Sequence, residues 1–184
     1  MSAESGEFWD LTDAEGNRLG MTHARSDPNL PAGAFHVVAA TWAVRPDGAV
    51  LVAQRAANKT YPLQWEFPAG SALAGESSRV AAARELGEEA GIRIHPGRLV
   101  PVGRSRERIE LVDIYVVHLD APVEPVPQPE EVAFAEWVSL DEVDRRRREK
   151  LFARPWIHRL DLFWTDLVHA VAAAPAGKAA RPGA

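Results

Sequence analysis

The sequence predicts an α/β (α+β) fold, in which short strands form a sheet and helices cover it. Two observations support this prediction. Apolar, β-prone runs alternate with turn-forming Pro, Gly, Asp and Asn residues in the first two thirds of the chain, and helical spacing of apolar residues dominates the last third. With 184 residues, 46% hydrophobic and 26% charged, the chain has an ordinary globular composition, which excludes disordered and fibrous proteins. We therefore expect one domain with extensions.

Charge and cysteine content limit the functions that the chain can have. The formal net charge of −5 gives no general attraction to nucleic acid or to anionic membranes, so neither is an expected partner. The absence of cysteine excludes disulfides, thiolate zinc sites and a cysteine nucleophile. Residues 1–7 are polar and acidic, unlike a signal peptide, and no apolar run reaches the roughly 18 residues of a membrane span. These features favour a cytoplasmic protein whose specificity comes from a site.

The first part of the chain is predicted to form two hairpins. Residues 1–34 form an N-terminal hairpin extension and loop, in which apolar residues on both sides of "DAEGN" indicate a hairpin over residues 8–22. The runs 34–44 and 49–55 are joined by Pro46-Asp47-Gly48, and they form the clearest hairpin, because proline and glycine supply the backbone angles that a tight turn needs.

A helix follows, and then further strands and helices complete the domain. Ser77 or Ser78 is a suitable N-cap and Gly91 a suitable left-handed C-terminal residue. An apolar stripe on this helix is expected at positions 80, 83, 86 and 90. Strands are predicted at 99–104, 110–119 and 134–138, a helix from 140, and a last apolar helix starting near Pro155. Its stripe indicates core packing, with a homodimer interface as the alternative, and residues 175–184 are predicted to be a disordered tail.

The segment "RELGEEAG" places three carboxylates, Glu85, Glu88 and Glu89, at helical spacings of three and four. Like charges at these spacings destabilise a helix, and negative charge near a helix C-terminus opposes the macrodipole. Such a cluster can be a solvated surface, or it can be compensated by a bound cation. Mg²⁺ prefers oxygen ligands from a few carboxylates, with water and substrate phosphate completing its shell. A divalent cation would therefore turn the repulsion into attraction.

A longer pattern surrounds this segment, and it resembles the 23-residue signature of the Nudix hydrolases at every defined position. The resemblance implies an α/β/α sandwich with a mixed β-sheet, to which the N-terminal β-hairpin is an addition, with residues 35–174 as the Nudix hydrolase domain. It also implies a Mg²⁺-dependent enzyme, with Mn²⁺ as a substitute, in which water attacks a phosphorus of a small-molecule diphosphate. The matching positions are Gly70, Glu76, Arg84, Glu85, Leu86, Glu88, Glu89, Gly91 and Ile92.

The same resemblance assigns roles to these residues. Glu85, Glu88 and Glu89 would hold divalent ions together with the carbonyl of Gly70, and Glu131, six residues before Trp137, would be a further metal ligand. The carboxylate that acts as the base varies within the family, and Glu85 is our choice.

Two residues of the pattern support the metal ligands. Glu76 would be a supporting acid. We expect Arg84 to pair with Glu76 and hold the cluster in place.

Positive residues before the signature are candidates for binding the diphosphate. Arg55 and Lys59 lead, and Arg104, Arg106 and Arg108 follow. Trp65 and Tyr61 could stack on a base, or they could simply pack in the fold.

The region before the signature resembles the subgroup related to isopentenyl diphosphate isomerase. In that enzyme an Arg and a Lys spaced like Arg55 and Lys59 hold the diphosphate, and a Glu near the position of Glu110 belongs to the site. The isomerase needs a cysteine five residues after the tryptophan, where this chain has Gly70, so hydrolysis is favoured. A non-catalytic Nudix-fold binding module is a further alternative, but such proteins usually lose acids of the signature. The substrate is expected to be a nucleoside diphosphate derivative of unresolved identity.

Overall fold

The computed structural model describes residues 6–173, so the predicted tail at 175–184 lies outside the described residues. The strands are β1 Phe8–Thr12, β2 Arg18–Ala24, β3 His36–Val44, β4 Val50–Arg55, β5 Trp65–Glu66, β6 Ala69–Ser71, β7 Val100–Arg106, β8 Glu110–His118 and β9 Val132–Val138. The helices are α1 Ser78–Ala90, α2 Leu140–Arg148 and α3 Arg154–Ala172. Every predicted strand and helix within the described residues is present, with ends shifted by a few residues.

A seven-stranded mixed sheet forms the centre of the molecule. Its main path is β5-β4-β3-β8-β7, while β6 pairs with β3 and β9 pairs with β4. β3 and β8 run parallel from the pair His36 and Glu110 to the pair Val44 and His118, and the other pairs are antiparallel. The mixed sheet is thus confirmed. The predicted hairpin of β3 and β4 pairs only next to its turn, where Val44 faces Val50, because the two strands then continue with different partners.

Helices cover both faces of this sheet. Alternate residues of β3 point to opposite faces, so that Trp42 lies in one core and Ala43 in the other. The core around Trp42 contains residues of α2 and α3, such as Val143 and Leu160. The core around Ala43 contains α1. This arrangement is the expected α/β/α sandwich.

The apolar stripe of α3 packs into the core. Trp156, Leu160, Leu167 and Val171 are buried, as the helical spacing predicts. The stripe therefore packs against other elements of the same chain. The homodimer stays a prediction. Among the described residues, no helix is long and apolar enough to cross a membrane.

The N-terminal hairpin forms a two-stranded sheet of its own, as predicted. Backbone–backbone hydrogen bonds fasten it to the domain at two places. Thr12 exchanges backbone hydrogen bonds with Phe35, just before β3. The backbone N–H of Ala74 donates to the carbonyl of Phe8 at 2.7 Å, in the loop that leads to α1. The hairpin therefore lies beside the segment that carries the signature.

Candidate functional site

Helix α1 begins and ends where the sequence predicts. Ser77 is the N-cap and accepts a hydrogen bond from the backbone N–H of Val80 at 3.4 Å, and Gly91 ends the helix with φ of 69°. The predicted apolar stripe is wrong at Val80, which is 42% exposed, while Ala81 and Ala82 are buried. Small alanine side chains let the helix approach the sheet closely, and this contact turns Val80 outward.

Glu89 points into the molecule. Its side chain accepts a hydrogen bond from the backbone N–H of Ala69 at 3.1 Å, and the residue is only 7% exposed. Burial, followed by the negative charges of Glu66 and Glu85, raises the pKa of Glu89 well above its usual value. A buried carboxylate among other carboxylates is unfavourable unless a cation compensates it.

Glu85 lies directly against the backbone of Gly70. A β-carbon at position 70 would overlap the Glu85 carboxylate, so any other residue there would displace this side chain. Burial raises the pKa of Glu85, although the neighbouring Arg84 opposes this effect. The backbone of β6 and the carboxylates of α1 therefore form one close-packed unit.

Arg84 holds the acids of the signature together. Its Nε and Nη2 donate to the two carboxylate oxygens of Glu76, each at 3.0 Å, so the expected ion pair is confirmed. Its Nη1 donates to Glu85 at 2.8 Å and to Glu88 at 2.9 Å. Burial opposes ionisation of Glu76, but the bonds from Arg84 and from the backbone of Leu73 outweigh it and lower the pKa of this carboxyl.

Arg55 and Lys59 lie in the same cleft as the carboxylates of α1. Arg55 forms an ion pair with Glu66 and donates from Nε to the carbonyl of Thr60 at 2.6 Å, and Lys59 forms an ion pair with Glu131. Sequence reasoning missed Glu66, which is 8% exposed in β5. The available signal was a charged residue between two aromatic ones, Trp65 and Phe67.

These residues line one cleft of about 370 Å³. Its lining includes every predicted metal ligand and three of the predicted substrate-binding residues, Arg55, Lys59 and Glu110. Seven acidic and four basic side chains line it, so negative charge is in excess. The charged lining residues are Glu7, Arg25, Arg55, Lys59, Glu66, Arg84, Glu85, Glu88, Glu89, Glu110 and Glu131.

Some predicted substrate-binding residues lie elsewhere. Trp65 does not line the cleft: in β5 its side chain alternates with that of Glu66, and its ring packs under the guanidinium of Arg146 at 4.0 Å. Arg104 pairs with Asp113 at 2.6 Å instead of facing the cleft. The prediction that Trp65 binds substrate therefore lacks support from its position.

The donor set suits a hard divalent cation. Its members are carboxylate and carbonyl oxygens, and the buried Glu89 lacks a cationic partner among residues 6–173. Within those residues, however, no group of three acidic or histidine side chains already forms a metal-binding cluster. Arg84, Arg55 and Lys59 instead form ion pairs with carboxylates of the cleft. The residues therefore fit a metal ion, and rearrangement of these side chains is required to enclose it.

A buried histidine, His36, lies next to Glu110 of the cleft. The ring of His36 is 2% exposed and stacks on Trp9 of the hairpin, with ring centroids 3.9 Å apart. Burial, followed by the positive charges of Arg25 and His23, lowers the pKa of His36 to about 4. The ring is therefore neutral at pH 7, and its 3.9 Å approach to Glu110 is not an ion pair at that pH. Sequence reasoning missed this contribution of the hairpin.

Comparison with known proteins identifies the family. The NUDIX domain model matches residues 34–160. The chain belongs to the Nudix family. An uncharacterised Nudix hydrolase of Listeria monocytogenes is 31% identical over 150 residues, which cover 77% of this chain and 85% of that protein. The isopentenyl-diphosphate Delta-isomerase of Rhodobacter capsulatus is 35% identical over 88 residues, which cover 44% of this chain and 48% of that protein.

Solved structures show the same fold. A crystal structure from Deinococcus radiodurans superposes with a TM-score of 0.69 at 19% identity, covering 86% of this chain and 99% of that one. Nudix membership makes the protein a hydrolase of phosphorus-containing anhydrides, acting on diphosphate linkages. Five of the nine signature residues line the acid-rich cleft, namely Gly70, Arg84, Glu85, Glu88 and Glu89.

Proposed function

We propose that this Nudix hydrolase uses Mg²⁺, or Mn²⁺ in its place, to cleave the diphosphate linkage of a nucleoside diphosphate derivative. One observation carries the proposal: Glu85 and Glu89 meet the backbone of β6 in a cleft whose lining has an excess of carboxylates. Without a cation this arrangement is unfavourable, because buried like charges repel. In a metal–diphosphate complex, the metal ion would supply the missing positive charge, and the phosphate oxygens would bind the basic side chains of the cleft.

In this proposal, the ion is held by four carboxylates and one carbonyl, those of Glu85, Glu88, Glu89, Glu131 and Gly70. A divalent ion bound there neutralises phosphate oxygens and lowers the pKa of bound water. Glu88 and Glu131 have Arg84 and Lys59 as partners in the structure, so they would exchange these partners on binding. Arg84 would keep Glu76, with which it forms two hydrogen bonds.

The chain's own residues would perform the proton transfer and hold the substrate. Glu85 would accept the proton of the attacking water, and its raised pKa makes it a better base at neutral pH than an ordinary carboxylate. Arg84 and Glu76 would position Glu85. Arg55 and Lys59 would move from their carboxylate partners to phosphate oxygens, with which cations form strong charge-assisted hydrogen bonds.

The test is a screen of purified protein against diphosphate compounds with Mg²⁺, in which both products are identified. We expect Glu85→Gln and Glu89→Gln to lower kcat by about a hundredfold or more. Glu130→Gln is the matched control, since this exposed residue lies next to Glu131 and outside the cleft. Turnover that survives in both site variants, or that needs no divalent ion, would contradict the proposal.

The alternatives are separated by the same screen. Isomerase activity on prenyl diphosphates is disfavoured, because the chain has no cysteine and Gly70 stands at the corresponding position. A non-catalytic binding module is disfavoured, because every acid of the signature is present. Isomerised isopentenyl diphosphate would support the first alternative, and binding without turnover would support the second.

A further inference from the structure

A second depression, here called the arginine groove, adjoins the acid-rich cleft. It has a volume of about 670 Å³ and shares Glu110 with the cleft. The two depressions therefore meet at Glu110. Its lining residues are Tyr61, Arg106, Glu107, Arg108, Ile109, Glu110, Arg154, Pro155 and His158.

The arginine groove carries uncompensated positive charge. Arg106, Arg108 and Arg154 are exposed, and none of them forms an ion pair with another residue of the described part of the chain. The two acids of the groove are already engaged with the buried Arg159, which donates to Glu107 at 2.7 Å and to Glu110 at 3.3 Å. Three guanidinium groups are thus available to an anion.

The loop between β4 and β5 contributes to both the cleft and the groove. Lys59 lines the cleft, and Tyr61, two residues later, lines the groove. Tyr61 and Leu63 both have left-handed backbone angles, with φ of 58° and 59°, which bulky residues rarely adopt. Hydrogen bonds from Leu63 N–H to the Arg55 carbonyl and from Gln64 N–H to the Tyr61 carbonyl maintain this shape. Strain of this kind concentrates at ligand-binding positions.

From these observations we infer that the arginine groove binds a further phosphate group of the substrate, beyond the diphosphate that is cleaved. The inference rests on the proposed function, since it assigns the cleft to the diphosphate. In the cleft, carboxylates outnumber cations, so phosphate there depends on a metal ion. A phosphate outside the metal's reach needs side-chain cations, and guanidinium groups bind phosphate in a bidentate manner. Substrates with a third phosphate would therefore be preferred.

The test compares compounds that differ by one phosphate group. NADPH and NADH form one pair, and coenzyme A and dephospho-coenzyme A form another. Dissociation constants are measured by calorimetry at low salt with Ca²⁺, and the ligands are checked for cleavage afterwards. For at least one pair we expect about tenfold tighter binding of the phosphorylated member, the size of one charge-assisted contact. Raising the salt concentration should reduce this preference.

Variants assign the preference to the groove. The double variant Arg106→Ala/Arg154→Ala should lose it and keep the thermal transition of the wild type. Arg93→Ala is the matched control, because Arg93 is also exposed and unpaired among the described residues but lies outside both depressions. It should retain the preference.

Two outcomes would overturn the inference. They are equal binding within both pairs and a preference that survives the double variant. Failure of the proposed function looks different. In that case none of the diphosphates is cleaved with Mg²⁺, while the phosphate preference in calorimetry is unchanged.

Discussion

At the scale of single residues, burial controls the protonation of His36. Its pKa is lowered to about 4 in the folded protein, whereas an unfolded histidine has a pKa of about 6.5. Between these values the unfolded chain takes up a proton that the folded protein does not, so stability falls as the pH falls. We expect a loss of roughly 2 kcal/mol in the free energy of unfolding from pH 7 to pH 5. Urea unfolding at both pH values measures it, and His36→Gln should reduce the dependence. An unchanged dependence in the variant would show that another group is responsible.

A second residue-scale prediction concerns Gly70, where a β-carbon would overlap the Glu85 carboxylate. Gly70→Ala should displace Glu85 and lower Mg²⁺-dependent hydrolysis by about tenfold or more, because small displacements of catalytic groups are costly. Circular dichroism should show a retained fold. Gly87→Ala is the control, because a β-carbon at this position of α1 would have no close neighbour. Gly20→Ala is unsuitable as a control, because Gly20 has a positive φ. Full activity of Gly70→Ala would contradict the role of this contact.

At the scale of elements, α1 contains a glycine that its backbone does not need. A β-carbon at Gly87 would meet nothing closer than the Cγ of Arg93 at 3.9 Å, and the residue has no positive φ. Gly87→Ala should therefore raise the free energy of unfolding by about 0.5–1 kcal/mol, the helix cost of glycine relative to alanine. Chemical denaturation measures this change. A destabilised variant would contradict this prediction.

The N-terminal hairpin is a separate element that depends on few contacts. Asp10 accepts a hydrogen bond from the backbone N–H of Gly75 at 2.8 Å and pairs with Arg18 at 3.0 Å. Asp10→Ala should loosen the hairpin, and with it Arg25 and Glu7 at the cleft. Hydrogen exchange should become faster in β1 and β2 and stay unchanged in α3. Uniform protection in the variant would show that the backbone contacts alone fasten the hairpin.

At the scale of the whole molecule, the excess of carboxylates in the cleft links stability to metal binding. Mg²⁺ should raise the Tm, because a ligand of the folded state stabilises it, and NaCl at equal ionic strength should not. Glu89→Gln removes one of the repelling buried acids, so the metal-free variant should be more stable by roughly 1 kcal/mol. The same variant should respond less to Mg²⁺. Differential scanning calorimetry distinguishes these effects, and a destabilised metal-free variant would contradict them.

The sequence by itself determined the features that depend on neighbouring residues. Ser77 and Gly91 limit α1 through local hydrogen bonds and backbone angles, and Pro46-Asp47-Gly48 turns the chain between β3 and β4. The spacing of the signature placed its carboxylates on one helix and paired Arg84 with Glu76. These signals act over a few residues, so they can be interpreted without the fold.

Tertiary structure alone decided which side of each element meets the cleft. It turned Glu89 inward and Val80 outward, and it placed Glu66 in the cleft while Trp65 packs under Arg146. It also brought the hairpin to the signature, which is distant in the sequence. Helix and strand periodicity define faces but not their partners, and the partner fixes burial, pKa and charge balance. The candidate ligands could therefore be named from the sequence, and their environment could not.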